Sequence, residues 1–243
     1  MNWYPVEIRH TITEEQKQAS YDTIYKTRGI RLRDSFYLWF LDVVRRYGRG
    51  RLLDVSCGEG TFLTFACRAG FAAVGIDFSI EALHKFQTDS GQAAIFQANA
   101  QQLPFDAASF DTVTNIGSLE HYFEPEIGVR EMARVLRSDG VAVILLPNTF
   151  GFFGNITYVM RYGEVYDDGQ PLQRYASRAS WERLLSSNGL RVAHVIHYER
   201  ERPRTLPDLI FLLTHPLKMI RILIAPLVPV NLGNMLVYIC RKG

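Results

Sequence analysis

Between residues 51 and 147 the chain alternates short apolar runs with stretches of helical spacing, and few folds accommodate that text. The runs at 52–55, 72–76, 94–97, 110–115 and 140–146 read as strands. Residues 61–69, 80–89 and 126–136 carry helical spacing between them, and Ser79 and the Glu124-Pro125 pair supply helix-start signals. Strands alternating with helices are joined by right-handed crossovers into a parallel sheet, here of five strands.

The flanks extend this core. Residues 13–48 have helical character up to Gly48 and Gly50 and read as one or two helices covering the sheet. Beyond Pro147 an irregular aromatic stretch, 150–175, leads to a helix at 179–188 closed by Gly189. A sixth strand at 190–198 and a seventh at 235–240 follow, separated by about 35 residues of Pro-rich apolar sequence without a compact crossover, so the last strand is expected to run antiparallel. The expected fold class is α/β: a doubly wound, mostly parallel seven-stranded sheet with an antiparallel last strand and helices on both faces. Residues 1–243 are read as one domain, with a helical cap at 1–48, a ligand-binding core at 50–147, and lid or substrate insertions at 148–178 and 199–233.

A chain of 243 residues with 47% hydrophobic content can bury one sizeable core. Lys and Arg total 27 against 25 for Asp and Glu, which gives no field suited to a polyanion, so nucleic acid is not an expected partner. The N-terminal text lacks the pattern of a secretory signal, and the expected location is cytoplasmic. Cys57, Cys67 and Cys240 show no metal-ligand or disulfide spacing and are expected to be buried, reduced thiols; no metal site is expected.

The chemistry concentrates in LLDVSCGEG, residues 52–60, where an apolar strand runs into a glycine turn and then a helix. Gly58 and Gly60 let backbone pass close beneath a ligand, and the helix N-terminus offers free N–H groups to a carboxylate. A glycine pair alone also marks ordinary turns. Asp77, however, ends the next strand 19 residues past Gly58, near the spacing of about 20 for an acid that takes ribose hydroxyls. Its other reading is a helix cap beside Ser79. A dinucleotide turn would need glycine three positions after Gly60, where Leu63 stands, which argues against a nicotinamide cofactor.

With QANAQQLPF at 97–105, NIGSLEH at 115–121 and VLRSDG at 135–140, this text resembles the class I S-adenosylmethionine-dependent methyltransferases over about residues 50–147. The resemblance implies S-adenosyl-L-methionine as cofactor on a Rossmann-like domain. Asp54 would help hold the methionine ammonium, with Ser56, Cys57, Gly58 and Gly60 forming the turn beneath it. Asp77 would bind the ribose and Phe78 line the adenine pocket. Asn99, Ala100 and Gln101 would meet the adenine edge, and Asn115 and Gly117 would lie in the loop under the sulfonium. Two positions depart from the family pattern. Ser56 stands where its first glycine is usual, and Asn99 replaces an Asp; the Asn99 carbonyl can still accept from an amino group, or it makes an Asn turn.

Methyl transfer is an in-line displacement that needs alignment and exclusion of water more than a nucleophile. Where the acceptor is a hydroxyl or carbon acid a base helps, and His121, oriented by Glu120, is the candidate, its other reading being structural. Tyr21, Tyr25, Tyr158, Tyr162 and Tyr175 belong either to a lid or to the core. The acceptor is expected to be a small molecule, apolar or lipid-linked. The apolar segment 206–230 is interrupted by prolines, so it is read as packing against the sheet rather than spanning, with peripheral membrane contact as the alternative. A degenerate, cofactor-binding scaffold is the second functional class, kept open by Ser56 and Asn99, and a nicotinamide oxidoreductase is the third.

Overall fold

Side chains along the central strands divide between two cores with period two, which requires helices on both faces of one sheet. Ala142, Ile144 and Leu146 join one cluster with Val129, Met132, Trp181 and Leu184, while Val141, Val143 and Leu145 join another with Phe36, Phe40, Val44, Phe62 and Leu63. The computed structural model describes residues 5–11, 13–86 and 93–243. In chain order its elements are β1 (Val6–Arg9), α1 (Glu14–Thr27), α2 (Asp34–Tyr47), β2 (Arg51–Val55), α3 (Thr61–Arg68), β3 (Ala72–Asp77), α4 (Ile80–His84) and β4 (Ala94–Gln97). Then come β5 (Phe110–Ile116), α5 (Pro125–Val135), β6 (Leu136–Pro147), α6 (Thr157–Tyr162), β7 (Leu172–Tyr175) and α7 (Arg178–Ser186). β8 (Leu190–Tyr198), α8 (Leu206–Leu213), α9 (Pro216–Ile224) and β9 (Met235–Lys242) complete it.

The main sheet runs β4-β3-β2-β5-β6-β9-β8. β4, β3, β2, β5 and β6 pair in parallel, and β9 lies antiparallel between β6 and β8, as expected from the sequence. The helix expected at 80–89 is Ile80–His84, started by Ser79 accepting from the Ala82 N–H; residues 87–89 lie outside the described residues. The fully buried Trp181 ties α7 to the sheet by donating Nε1–H to the Pro147 carbonyl at 2.8 Å.

Of the one or two helices expected at 13–48 to cover the sheet, α2 does so, while α1 lies against α4 with Tyr21 edge-on to Phe78. Two expectations are corrected. The stretch 150–175 is not wholly irregular, because β7 pairs antiparallel with β1 in a separate two-stranded ribbon, Val6 opposite Tyr175. Segment 206–230 does not pack down on the sheet: α9 buries none of its residues and α8 only Asp208 and Leu212. Among the described residues no single helix is long and apolar enough to cross a membrane.

Candidate functional site

The C-terminal ends of β2, β3 and β5 converge where strand order reverses between β2 and β5, the position at which open α/β sheets form ligand clefts. There a cavity of about 950 Å³ opens, at the upper end of ligand-pocket volumes. Its floor is the turn after β2. Gly58 and Gly60 both have left-handed backbone, φ +55° and +70°, and a Cβ at Gly58 would sit 2.8 Å from the Tyr25 hydroxyl. Ser56 also lies at φ +62°, so the residue that replaces a glycine keeps a glycine's conformation. Its hydroxyl is held 2.7 Å from the Tyr122 hydroxyl. We expect Ser56→Val, β-branched at positive φ, to destabilise the chain by about 2 kcal/mol and Ser56→Gly to be neutral within about 1 kcal/mol. Urea denaturation measures both, and equal stability of the two variants would remove the strain.

Asp54, Ser56, Cys57, Gly58, Asp77, Phe78, Asn99, Ala100, Gln101, Gly117 and His121 all line this cavity. Gly60 stands behind the wall, where a Cβ would meet the Phe86 ring at 2.3 Å. Asn115 is fully buried inside β5, its amide donating to the Val55 carbonyl and the Tyr122 hydroxyl while its oxygen accepts from the Leu119 N–H. It braces the loop below the cavity. Cys57 is half-buried on the wall instead of buried; Cys67 and Cys240 are buried, and all three are free thiols.

Asp77 accepts at one oxygen from the Gly58 N–H and at the other from the Ser79 N–H, both at 2.9 Å. Burial nevertheless pushes its carboxyl up to about 6. Asp54, hydrogen-bonded by the Thr114 hydroxyl at 2.7 Å, is pushed by burial up to about 7. Asn99 makes the Asn turn, its carbonyl accepting from the Gln101 N–H at 2.8 Å. His121 has Nδ1 against the Leu172 carbonyl; because a carbonyl only accepts, Nδ1 carries the proton and Nε2 keeps its lone pair. Burial holds His121 below its usual range, and Nε2 lies 3.9 Å from Glu120 Oε1. Burial lifts Glu120 to about 8, and its Oε2 has no hydrogen-bond partner among the described residues.

All five tyrosines named from the sequence line the cavity, joined by Tyr37, Tyr122 and Tyr166. The sequence reading missed Asp168, Gln170 and Gln173 on the opposite wall; Tyr21 donates to Gln170 at 2.9 Å, and the buried Gln173 Oε1 is unpartnered among the described residues. No local signal marks them, since the β1–β7 ribbon brings them in.

The profile of the methyltransferase-domain family matches residues 53–144, which run from β2 through β6 and carry the floor of this cavity. This part of the chain is similar to a methyltransferase domain. A probable S-adenosylmethionine-dependent methyltransferase of Mycobacterium tuberculosis is 31% identical over 101 residues, covering 42% of this chain and 37% of that protein. A demethylmenaquinone methyltransferase of Clavibacter sepedonicus is 35% identical over 161 residues, covering 65% of this chain and 60% of that one. The chain thus spans less than two thirds of either relative's length. Among solved structures a (4+2)-cyclase superposes with TM-score 0.66 at 18% identity, over 96% of this chain and 98% of that one. A methyltransferase from Mesorhizobium loti gives 0.61 at 14%, over 86% and 98%. Both share the fold.

Proposed function

We propose that this chain is a methyltransferase that binds S-adenosylmethionine in the cavity and passes its methyl group in line to a small-molecule acceptor, apolar or lipid-linked in character. The charge of the wall carries this reading. Asp54, Asp77 and Glu120 are buried carboxyls whose desolvation is opposed by hydrogen bonds and not by a cation. A ligand bringing a sulfonium and an ammonium relieves them, whereas a pyrophosphate would add repulsion. The orphaned Glu120 Oε2 and the absence of room for a Cβ at Gly58 fit the same ligand.

Bound there, S-adenosylmethionine supplies an electrophilic methyl group. Asp54 holds positive charge at the turn, Asp77 takes ribose hydroxyls on its remaining lone pairs, and residues 99–101 face the adenine. The tyrosine-rich cap excludes water. His121 stays neutral through burial, so its Nε2 lone pair is ready to accept a proton from a hydroxyl or carbon-acid acceptor. A second reading keeps the cofactor site without methyl transfer. It is favoured by the non-glycine turn at Ser56 and by the Asn99 oxygen already accepting from Gln101.

The test is calorimetric titration with S-adenosylhomocysteine, NAD in parallel. Affinity on the order of micromolar for the first and none for the second is expected. No binding of S-adenosylhomocysteine overturns the proposal, and binding without turnover in an acceptor screen moves the chain to the second reading.

A further inference from the structure

We propose that α8 and α9, with the cavity rim beside them, form a docking surface for an anionic lipid bilayer. Both helices and the turn that follows α9 direct apolar side chains outward: Leu206, Leu213, Leu217 and Leu223 of the helices and Leu227 of the turn are each 65–80% exposed. Apolar exposure concentrated in one segment marks an interaction site. The two helical stretches Leu206–Leu213 and Pro216–Leu227 meet at 105°, a bend suited to lying along a surface.

Charge decides what covers this face. Every acid between residues 199 and 230, namely Glu199, Glu201 and Asp208, is buried. Arg202 and Arg204 are exposed there, and Arg200, Lys218 and Arg221 half-exposed. A second copy of the chain related by two-fold symmetry would set these cations against their own equivalents with no exposed acid from the segment to match them. Arg204 already pairs with Asp42 at 2.6 Å and Arg221 with Glu199 at 3.0 Å, so Arg200, Arg202 and Lys218 are the cations that anionic headgroups neutralise while the leucines enter the acyl boundary.

The same face adjoins both sides of the cavity mouth. Arg33, next to the wall residues Ile30, Arg31 and Leu32, donates to Asp208 of α8 at 3.3 Å, and Arg221 of α9 stacks over wall residue Phe153 at 5.3 Å. The exposed Leu32 and Met160 extend the apolar rim. A bilayer-dissolved molecule therefore reaches the cavity without crossing open water. That last step rests on the proposed methyltransferase site; the docking surface does not.

Co-sedimentation of the full chain tests the proposal, using vesicles of one part phosphatidylglycerol to two parts phosphatidylcholine against phosphatidylcholine alone. The chain is expected to pellet with the anionic vesicles, about tenfold less with the neutral ones, and less as salt rises. Leu213→Glu with Leu217→Glu, and separately Arg202→Glu with Lys218→Glu, should each weaken binding about tenfold while melting temperature and S-adenosylhomocysteine affinity stay unchanged. Failure of the wild type to bind, or undiminished binding by the leucine pair, overturns the surface. So does light scattering showing a dimer that the leucine pair splits, which assigns the face to a second copy. Vesicle binding that survives loss of any S-adenosylhomocysteine binding by the wild type would remove the cofactor reading and leave the surface standing.

Discussion

Asp77→Ala is expected to weaken S-adenosylhomocysteine binding by about 2–4 kcal/mol, or roughly 30- to 1000-fold. The carboxylate has about four lone-pair sites, and the Gly58 and Ser79 N–H groups use two of them, which leaves one on each oxygen for a diol. The same geometry predicts a second loss. Ser79 is fully buried, so removing its acceptor orphans an N–H at about 1–3 kcal/mol of folding stability. Calorimetry and urea denaturation separate the two. Affinity unchanged while stability falls would make Asp77 only the brace of the glycine turn. A pH profile adds an independent readout: because burial lifts Asp77 to about 6, wild-type affinity should fall as pH drops through that value, and the dependence should shrink in the variant.

Strands buried on both faces were legible because their apolar runs have no other use in a soluble core. β2 and β5, buried along nearly their whole length, fall within one residue of 52–55 and 110–115, and the more exposed edge strands β4 and β8 coincide with 94–97 and 190–198. The β1–β7 ribbon was not legible. Its strands, VEIR and LQRY, are four residues each, half polar, and pair across more than 160 positions, as with Glu7 opposite Arg174. Its polar positions make sense only in place: Arg174 is buried, pairs with Glu7 at 2.7 Å and donates to the carbonyls of Tyr122 and Phe123. Within the site, residues on the strand ends were readable because turn chemistry fixes them, so Asp54, Asp77 and Gly58 reach the cavity. Asn115, the last residue of the expected strand 110–115 and the first of the NIGSLEH loop motif, lies inside β5, which continues through Ile116 and turns its amide into the scaffold. The exposure of α8 and α9 could not be read, since an apolar face looks the same whether it meets a sheet or something outside the chain.

The largest pH effect is expected at Glu120. Its folded-state value, raised by burial to about 8, lies above an ordinary value of 4.5, so between those limits the folded chain binds a proton that the unfolded chain releases. Stability contributed by that proton is present at low pH and drains as pH rises, on the order of 1.4 kcal/mol for each unit inside the window. Glu120→Gln does not titrate. Relative to wild type it should therefore gain stability steadily from about pH 5 to pH 8 and no further above that, as measured by urea denaturation at three pH values. Parallel curves would mean that Glu120 ionises freely and that its buried environment is wrong. A cationic ligand favours the ionised carboxylate, so saturating S-adenosylmethionine should flatten the difference if the unpartnered Oε2 faces it. If the slope persists with ligand bound, Oε2 faces the acceptor side of the cavity, and the carboxyl then stays protonated beside the neutral His121 until an acceptor arrives.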